Sequence, residues 1–364
     1  MWFRGSIIPE RRRMPRTTKA MQPRVDRAAG GLGSKRLAGP RSPRGSSAAV
    51  GRAQSHPRLE IGSAGAAALP NGRERSSVRS MPELPEVETI RRMLESTVRG
   101  RTIRDVKLSG LALRRPVPAS LARHVKGRTI EGVGRHGKYL LIELDGGWTL
   151  LSHLGMSGRW LFYPERPRED RPHVHARVRF QDGSQLWFQD ARRFGLLRAV
   201  RTDRLGHDAS LATLGPDPVL SPPGGERLYA LGRDARVHIK GFLMDQRRLA
   251  GIGNIYASEI LHRAGIDPRR RTATLRRADW DAIAKQTERV LEEAIRRCGT
   301  TFRTYRTPWG EPGTYAERLH VYDRANLPCR RCGTPIVRIV QGQRSTFFCP
   351  SCQRRRARRA TARI

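Results

Sequence analysis

The sequence predicts a multidomain α+β chain: an antiparallel β domain behind one leading helix, a helical second half, and a small metal-bound finger at the C-terminal end. Three observations predict it. Short apolar runs between residues 138 and 200 are split by turn residues such as Asp145-Gly146-Gly147, which reads as hairpins. A single apolar stripe at helical spacing runs from Trp280 to Cys298. Four of the five cysteines form two CxxC pairs, Cys329/Cys332 and Cys349/Cys352, the spacing of a four-thiolate zinc site.

Length and charge set the outer limits. A chain of 364 residues can bury two or three cores, and no run approaches the roughly 18 apolar residues of a membrane-spanning helix, so an integral membrane protein is not expected. Lys and Arg number 71 against 33 Asp and Glu, a formal charge of +38. Such a surface repels itself unless its partner is a polyanion, and nucleic acid is the leading candidate. Cysteines paired for metal rather than for disulfides point to a reducing cytosol.

Residues 1–80 stand apart. They hold 17 Lys/Arg against the four acids Glu10, Asp26, Glu60 and Glu74, are rich in Gly, Ser, Pro and Ala, and carry no sustained period. Disorder, or upstream sequence that is not part of the working protein, is expected there. The segment is Arg- and Ser-rich like a transit peptide but lacks a convincing amphipathic helix.

Order is expected from Pro82. Pro85 suits a first helical turn, and Val87, Ile90 and Leu94 follow at helical spacing. KYLLIEL (138–144) and WTLLSHL (148–154) predict one hairpin, ARVRF (176–180) and QLWFQD (185–190) a second, and GLLRAV (195–200) a further strand. The Pro/Gly density of GPDPVLSPPGG (215–225) marks a linker. Asp279 is the expected N-cap of the long helix, whose stripe of Trp280, Ile283, Ala284, Thr287, Val290, Leu291, Ala294, Ile295 and Cys298 faces a core. Cys298 thereby reads as a packing residue. The strands PIVRIV and STFFC close the cysteine finger, which is too small to fold without its metal; four thiolates leave no open position, so the zinc is structural. Arg338, Arg344 and the RRRARR run at 354–359 make that end basic, the run reading as a flexible tail.

Six ordered blocks resemble the bacterial formamidopyrimidine-DNA glycosylases: MPELPEVETIRR (81–92), GRHGKYLLIEL (134–144), HLGMSG (153–158), DARRFG (190–195), LMDQRRLAGIGNIYASEILHRAGI (243–266) and the finger with QRSTFFC (343–349). The resemblance covers about residues 81–353. It implies a catalytic β-sandwich (81–214), a helix–two-turn–helix domain (215–325), a zinc finger (326–353) and a basic tail (354–364). It also implies a bifunctional enzyme that removes oxidised purines and then nicks the strand as an abasic-site lyase. Glu83 and Leu84 after Pro82 favour the purine branch over the endonuclease-VIII-like branch for oxidised pyrimidines, which commonly has Gly at the position of Leu84; a non-catalytic zinc-finger protein that binds nucleic acid is the rival of a different class.

In that family's terms Pro82, once Met81 is removed, is a secondary amine able to attack the sugar C1′ and form an iminium; the positive end of the helix near Pro85 lowers its pKa. Glu83 is the acid/base, although a Pro-Glu pair at a helix start also reads as simple capping. Lys138 is implied to touch a phosphate or the lesion, where a plain strand-edge lysine is the alternative. His153 is implied to contact DNA. Gly251 and Gly253 are expected to let the backbone approach a phosphate, with Asn254 capping the next helix and donating to it. Arg344 is implied as a phosphate clamp. Met156, Arg192 and Phe194 match the residues that fill the void left by an everted nucleotide; Met156 and Phe194 could equally be core. Residues 301–322 resemble a flexible lesion-capping loop. The expected partner is double-stranded DNA carrying oxidised bases or abasic sites, bound by a monomer in a bacterial cytoplasm. An amide nitrogen is no nucleophile, so a chain still joined through Met81 to residues 1–80 is expected to be inactive.

Overall fold

The computed structural model describes residues 81–302 and 305–354. The expectations for residues 1–80, and for the basic tail beyond Arg354, lie outside the described residues.

Helix α1 (Leu84–Val98) starts where expected and buries Leu84, Val87, Ile90, Leu94 and Val98 on one face. Strand β1 (Ile103–Leu108), the short helix α2 (Ser120–Val125) and β2 (Ile130–His136) follow. The expected first hairpin is β3 (Tyr139–Leu144) and β4 (Trp148–His153), closed through residues 145–147. Next come β5 (Arg159–Tyr163), the second hairpin β6 (Val174–Phe180) and β7 (Gln185–Gln189), and β8 (Leu196–Arg201). All pair antiparallel in two four-stranded sheets, ordered β1-β6-β7-β5 and β2-β3-β4-β8. Leu140, Ile142 and Leu150 of one sheet and Trp160, Phe180 and Phe188 of the other share one core with the buried face of α1. This is a two-layer β domain with its leading helix.

The second half is helical: α3 (Gly225–Gly232), α4 (Ile239–Met244), α5 (Asn254–Arg263) and α6 (Arg277–Arg296). Helices α4 and α5 are joined across turns at 245–253. The α6 stripe is buried as its spacing requires, but Asp279 is not the N-cap. It sits at the third helical position and accepts the Arg276 amide at 2.9 Å, the carboxylate half of a capping box. Nor does α6 bury Cys298, which follows the helix end at φ +56° and is half-buried.

The finger is the hairpin β9 (Val337–Gln341) and β10 (Arg344–Phe348), turned by Gly342 and Gln343. Both turn residues have positive φ, which matches the right-handed strand twist. Its Ile336, Phe347 and Cys349 belong to the same apolar cluster as α4, α5 and α6, so the finger is packed onto the helical half. Among the described residues no helix is long and apolar enough to cross a membrane.

The β domain and the helical half are joined by a buried ionic triad. Arg135 on β2 is 2% exposed. Its guanidinium donates to Glu88 of α1 at 2.9 Å, to both oxygens of Asp217 in the linker, and to the Gly137 carbonyl at 3.0 Å. Asp217 also accepts the amides of Gly137 at 2.8 Å and of Val219 and Leu220 at 3.0 and 3.1 Å. Burial alone would raise the Glu88 pKa, but the bonds from Arg91 and the charge of Arg135 hold it down at about 2. Removing one member strands the others in a dry site. Asp217→Ala is therefore expected to cost about 3–5 kcal/mol in chemical unfolding, against about 1 kcal/mol for a typical substitution; a loss under about 1 kcal/mol would show that the triad does not hold the halves together.

Candidate active site

The centre of the site is the Glu83 carboxylate, 3% exposed, inserted between the two halves. It accepts backbone N–H bonds from Gly253 at 2.8 Å, Ile255 at 3.0 Å and Tyr256 at 3.4 Å, at the N-terminus of α5. A helix start offers unpaired donors and a positive dipole end, and the protein's own carboxylate takes them. The two glycines before α5 serve this insertion. A Cβ on Gly253 would fall 2.3–2.7 Å from the Glu83 carboxylate, and one on Gly251, at φ +96°, would fall 2.6 Å from Leu84. Both glycines thus make room for residues 83 and 84, a role that the sequence did not show. Asn254 is not the cap. Gly253 is, and the Asn254 amide donates to the Ser345 carbonyl of the finger at 2.9 Å.

Around this carboxylate lies a cavity of about 540 Å³ lined by Met81, Glu83, Lys138, His153, Met156, Asn254 and Arg344. Six sequence-predicted residues therefore meet in one cleft. Pro82 is buried beside it, and Met81 on its amine side is in the cavity wall. Lys138 is 8% exposed, placed by the left-handed turn at Gly137, where a Cβ would press on Ala250 at 3.1 Å. Burial lowers the Lys138 pKa, Glu83 opposes that shift and Arg344 adds to it. Burial raises the Glu83 pKa, while Lys138 and the three amides pull it back. A buried carboxyl raised above its ordinary range beside a lysine in a cleft is a candidate for proton transfer.

His153 is neutral. Burial, then the charges of Lys138 and Arg114, push its pKa down to about 3. Its Nδ1 accepts the Gly155 amide at 2.9 Å, which leaves Nε2 as the protonated nitrogen and a donor. Arg344, the first residue of β10, is exposed and has no ion-pair partner among the described residues.

Met156, Arg192 and Phe194 share one rim. Asp190, fully buried, accepts the Ser157 hydroxyl, the Arg192 amide at 3.2 Å and the Gly195 amide at 2.7 Å, which binds their two loops together. Phe194 is 43% exposed under the Arg192 guanidinium at 4.9 Å, so it is not core. Only Met156 of the three lines the cavity. The loop resembling a lesion cap has Trp309 against Phe162 at 5.2 Å, with the Phe162 amide donating to the Pro308 carbonyl at 3.0 Å.

Sequence reasoning missed two buried groups. Glu86 accepts the Glu83 amide at 2.8 Å, the Thr300 amide and the Tyr256 hydroxyl. Lys240 donates to the Ser345 carbonyl at 3.0 Å and the Thr346 hydroxyl at 2.7 Å, steadying β10 beside Arg344, and burial lowers its pKa to about 7. The only sequence signals were the second acid in PELPEVE and a lysine within an apolar helix.

The four cysteine sulfurs lie within 4.8 Å of one another, with pairs at 3.4, 3.5 and 3.9 Å. Tetrahedral zinc at about 2.3 Å from each sulfur needs them about 3.8 Å apart, so the set fits one structural zinc ion.

Burial, then the charge of Glu83, raises the Glu86 pKa from 4.5 to about 7. A raised acid favours the folded state while protonated, so its contribution is full below about pH 4.5 and lost as pH rises toward 7. Glu86→Gln removes that titration. The stability of the natural protein relative to this variant should fall between pH 4.5 and 7 and level off above; a difference independent of pH in denaturant titrations would refute the placement of Glu86.

Three family models match in order: formamidopyrimidine-DNA glycosylase N-terminal domain over residues 81–197, the H2TH domain of that glycosylase over 214–306, and a zinc finger found in FPG and IleRS over 326–355. A formamidopyrimidine-DNA glycosylase of Cereibacter sphaeroides is 41% identical over 284 residues, covering 75% of this chain and all of that protein. One from Chloroflexus aggregans is 45% identical over 274 residues, covering 75% and 98%. Among solved structures, MutM (FPG) from Thermus thermophilus is 38% identical with TM-score 0.68, covering 75% and 98%. A Lactococcus lactis FPG mutant in complex with a Fapy-dG containing DNA is 33% identical with TM-score 0.69, covering 75% and 100%.

Proposed function

This chain belongs to the formamidopyrimidine-DNA glycosylase family, and we infer from its site that it is a DNA glycosylase for oxidised purines in base excision repair, with abasic-site lyase activity at the same centre. One observation carries the assignment of residues: Glu83 is caged and desolvated beside Lys138 in the cleft wall, with the buried Pro82 preceding it in the chain.

The Pro82 nitrogen, freed of Met81, attacks C1′ of the damaged nucleotide; the bond to the base breaks and a cationic Schiff base forms. Glu83, with its pKa raised by burial, delivers a proton to the sugar ring oxygen and then moves protons through the eliminations that cut the strand. Lys138 and the His153 Nε2–H reach the backbone phosphates from one wall of the cleft, and Arg344 from the finger. Asn254 keeps one amide hydrogen on Ser345 and can give the other to phosphate. Met156, Arg192 and Phe194 enter the duplex where the nucleotide has left the stack: the exposed Phe194 ring and the Met156 thioether replace stacking, and the Arg192 guanidinium bonds the orphaned base. Zinc, bound by Cys329, Cys332, Cys349 and Cys352, supplies the fold of the hairpin that carries Arg344.

The working division is a β domain over 81–214, a helix–two-turn–helix domain over 215–325 and a finger over 326–353, acting as a monomer on duplex DNA. Reduced cysteines favour the cytoplasm.

The test is covalent trapping with borohydride on duplexes carrying 8-oxoguanine or an oxidised pyrimidine. Protein beginning at Pro82 should form an adduct on the purine lesion. Glu83→Gln should bind that duplex but cleave it at least about 100-fold more slowly, the scale of a lost general acid/base. Binding with no adduct would overturn the enzymatic reading, equal turnover of the two proteins the role of Glu83, and trapping on the pyrimidine alone the purine assignment.

A further inference from the structure

The last turn of α5 carries a buried imidazole that the reaction does not use. His262 is 1% exposed, and its Nε2 lies 3.5 Å from the Sγ of Cys329, itself 3% exposed. Its ring is tilted against His320 with centroids 5.3 Å apart. The other ring nitrogen, Nδ1, is buried with no hydrogen-bond partner. A cysteine that binds zinc is a thiolate, which accepts hydrogen bonds and donates none. The contact can then be made in one sense only: the proton sits on Nε2 and is donated to sulfur.

We propose that His262 is an outer-sphere ligand of the finger's zinc, its Nε2–H bonded to the Cys329 thiolate, and that it ties the metal to α5. Four thiolates around one divalent ion leave two negative charges in a partly desolvated site, and each N–H aimed at a sulfur offsets part of that charge. The other backbone donors at these sulfurs come from the finger itself: the Arg331 amide to Cys329 and the Cys352 amide to Cys349, both at 3.4 Å. His262 belongs to a different element. It stands with a further tie between the helical half and the finger, the Gln353 side chain that bridges the Cys349 amide and the Ile266 carbonyl, while Glu259, one turn earlier on α5, holds the segment that enters the finger by accepting the amides of His320, Val321 and Tyr322 at 2.9 Å. Of these only His262 touches a metal ligand's sulfur. The helix that cages Glu83 at its first turn therefore touches the zinc shell at its last.

The test uses the zinc-loaded protein and reads metal retention. Loss of an outer-shell partner weakens metal binding by about 10–100-fold. His262→Phe fills the space without a donor and should release zinc to a chromogenic chelator faster by that order. His262→Gln, which can present an N–H at similar reach, should recover most of the retention. In the cobalt-substituted proteins the thiolate-to-metal charge-transfer band should move for Phe and stay near its natural position for Gln. Nitrogen-15 spectra of the natural zinc protein should show the Nε2–H tautomer of His262, a reading that does not depend on any variant folding. Zinc release from the Phe variant at the natural rate with an unmoved cobalt band, or a His262 protonated at Nδ1 alone, would overturn the proposal.

Discussion

A carboxylate removed from water must be repaid by donors, and here they are the backbone amides at the start of α5. That constraint fixes much else. Glu83 belongs to the first residues before α1, whereas its donors lie about 170 residues further along the chain. The β domain and the helical half must therefore be docked before the carboxylate is satisfied. Gly251 and Gly253 keep the entrance open, since any side chain there would collide with Leu84 or with the carboxylate. Lys138 supplies the opposing charge. Its turn is held by the Gly137 amide and carbonyl in the Arg135–Asp217 network, so the ionic triad that joins the halves also sets the height of Lys138.

Helix α5 is the element on which these requirements converge. With its cap Gly253, it serves Glu83 through the amides of residues 253, 255 and 256, Glu86 through the Tyr256 hydroxyl, the finger hairpin through Asn254, the segment entering the finger through Glu259, and the cysteine cluster through His262. A helix with this many polar attachments on a buried surface is conformationally specified rather than merely packed. The finger is accordingly no independent appendage. Metal folds it, but Ile336 and Phe347 extend the core of the helical half, and Lys240 and Asn254 pin the Ser345 carbonyl next to Arg344. Arg344 is thus positioned in part by α5, the helix whose start holds the Glu83 carboxylate.

Much of this was legible in the amino acids. The β3–β4 and β6–β7 hairpins, the α6 stripe and the cysteine pairs are strong local patterns, and each is observed. The family motifs placed Glu83, Lys138, His153, Met156, Asn254 and Arg344, and all six line one cavity. Strands β1, β2 and β5 escaped notice for physical reasons. Edge strand β1 carries Arg104, Asp105 and Lys107, and β2 contains Gly132 and Gly134, so neither has a clean apolar signal; β5 is a short continuous apolar run, RWLFY, without the alternation that marks a strand. The roles of Gly253, Asp217 and His262 were invisible because their partners are 170, 82 and 67 residues away. Asp279 and Asn254 were misplaced by one to three residues at helix starts, where polar side chains at neighbouring positions satisfy the same orphan amides.

The central proposal is that the Glu83 cage seats the Pro82 nitrogen at the cleft, where it serves as a free amine once Met81, a residue of the cavity wall, is removed. The most direct measurement compares two preparations by intact mass and by borohydride adduct formation on abasic DNA: one beginning at Pro82, the other retaining Met81 and what precedes it. The account predicts adduct only on protein whose mass begins at Pro82, with the crosslinked nucleotide on the Pro82 peptide. An adduct on protein whose mass still includes Met81 would contradict it.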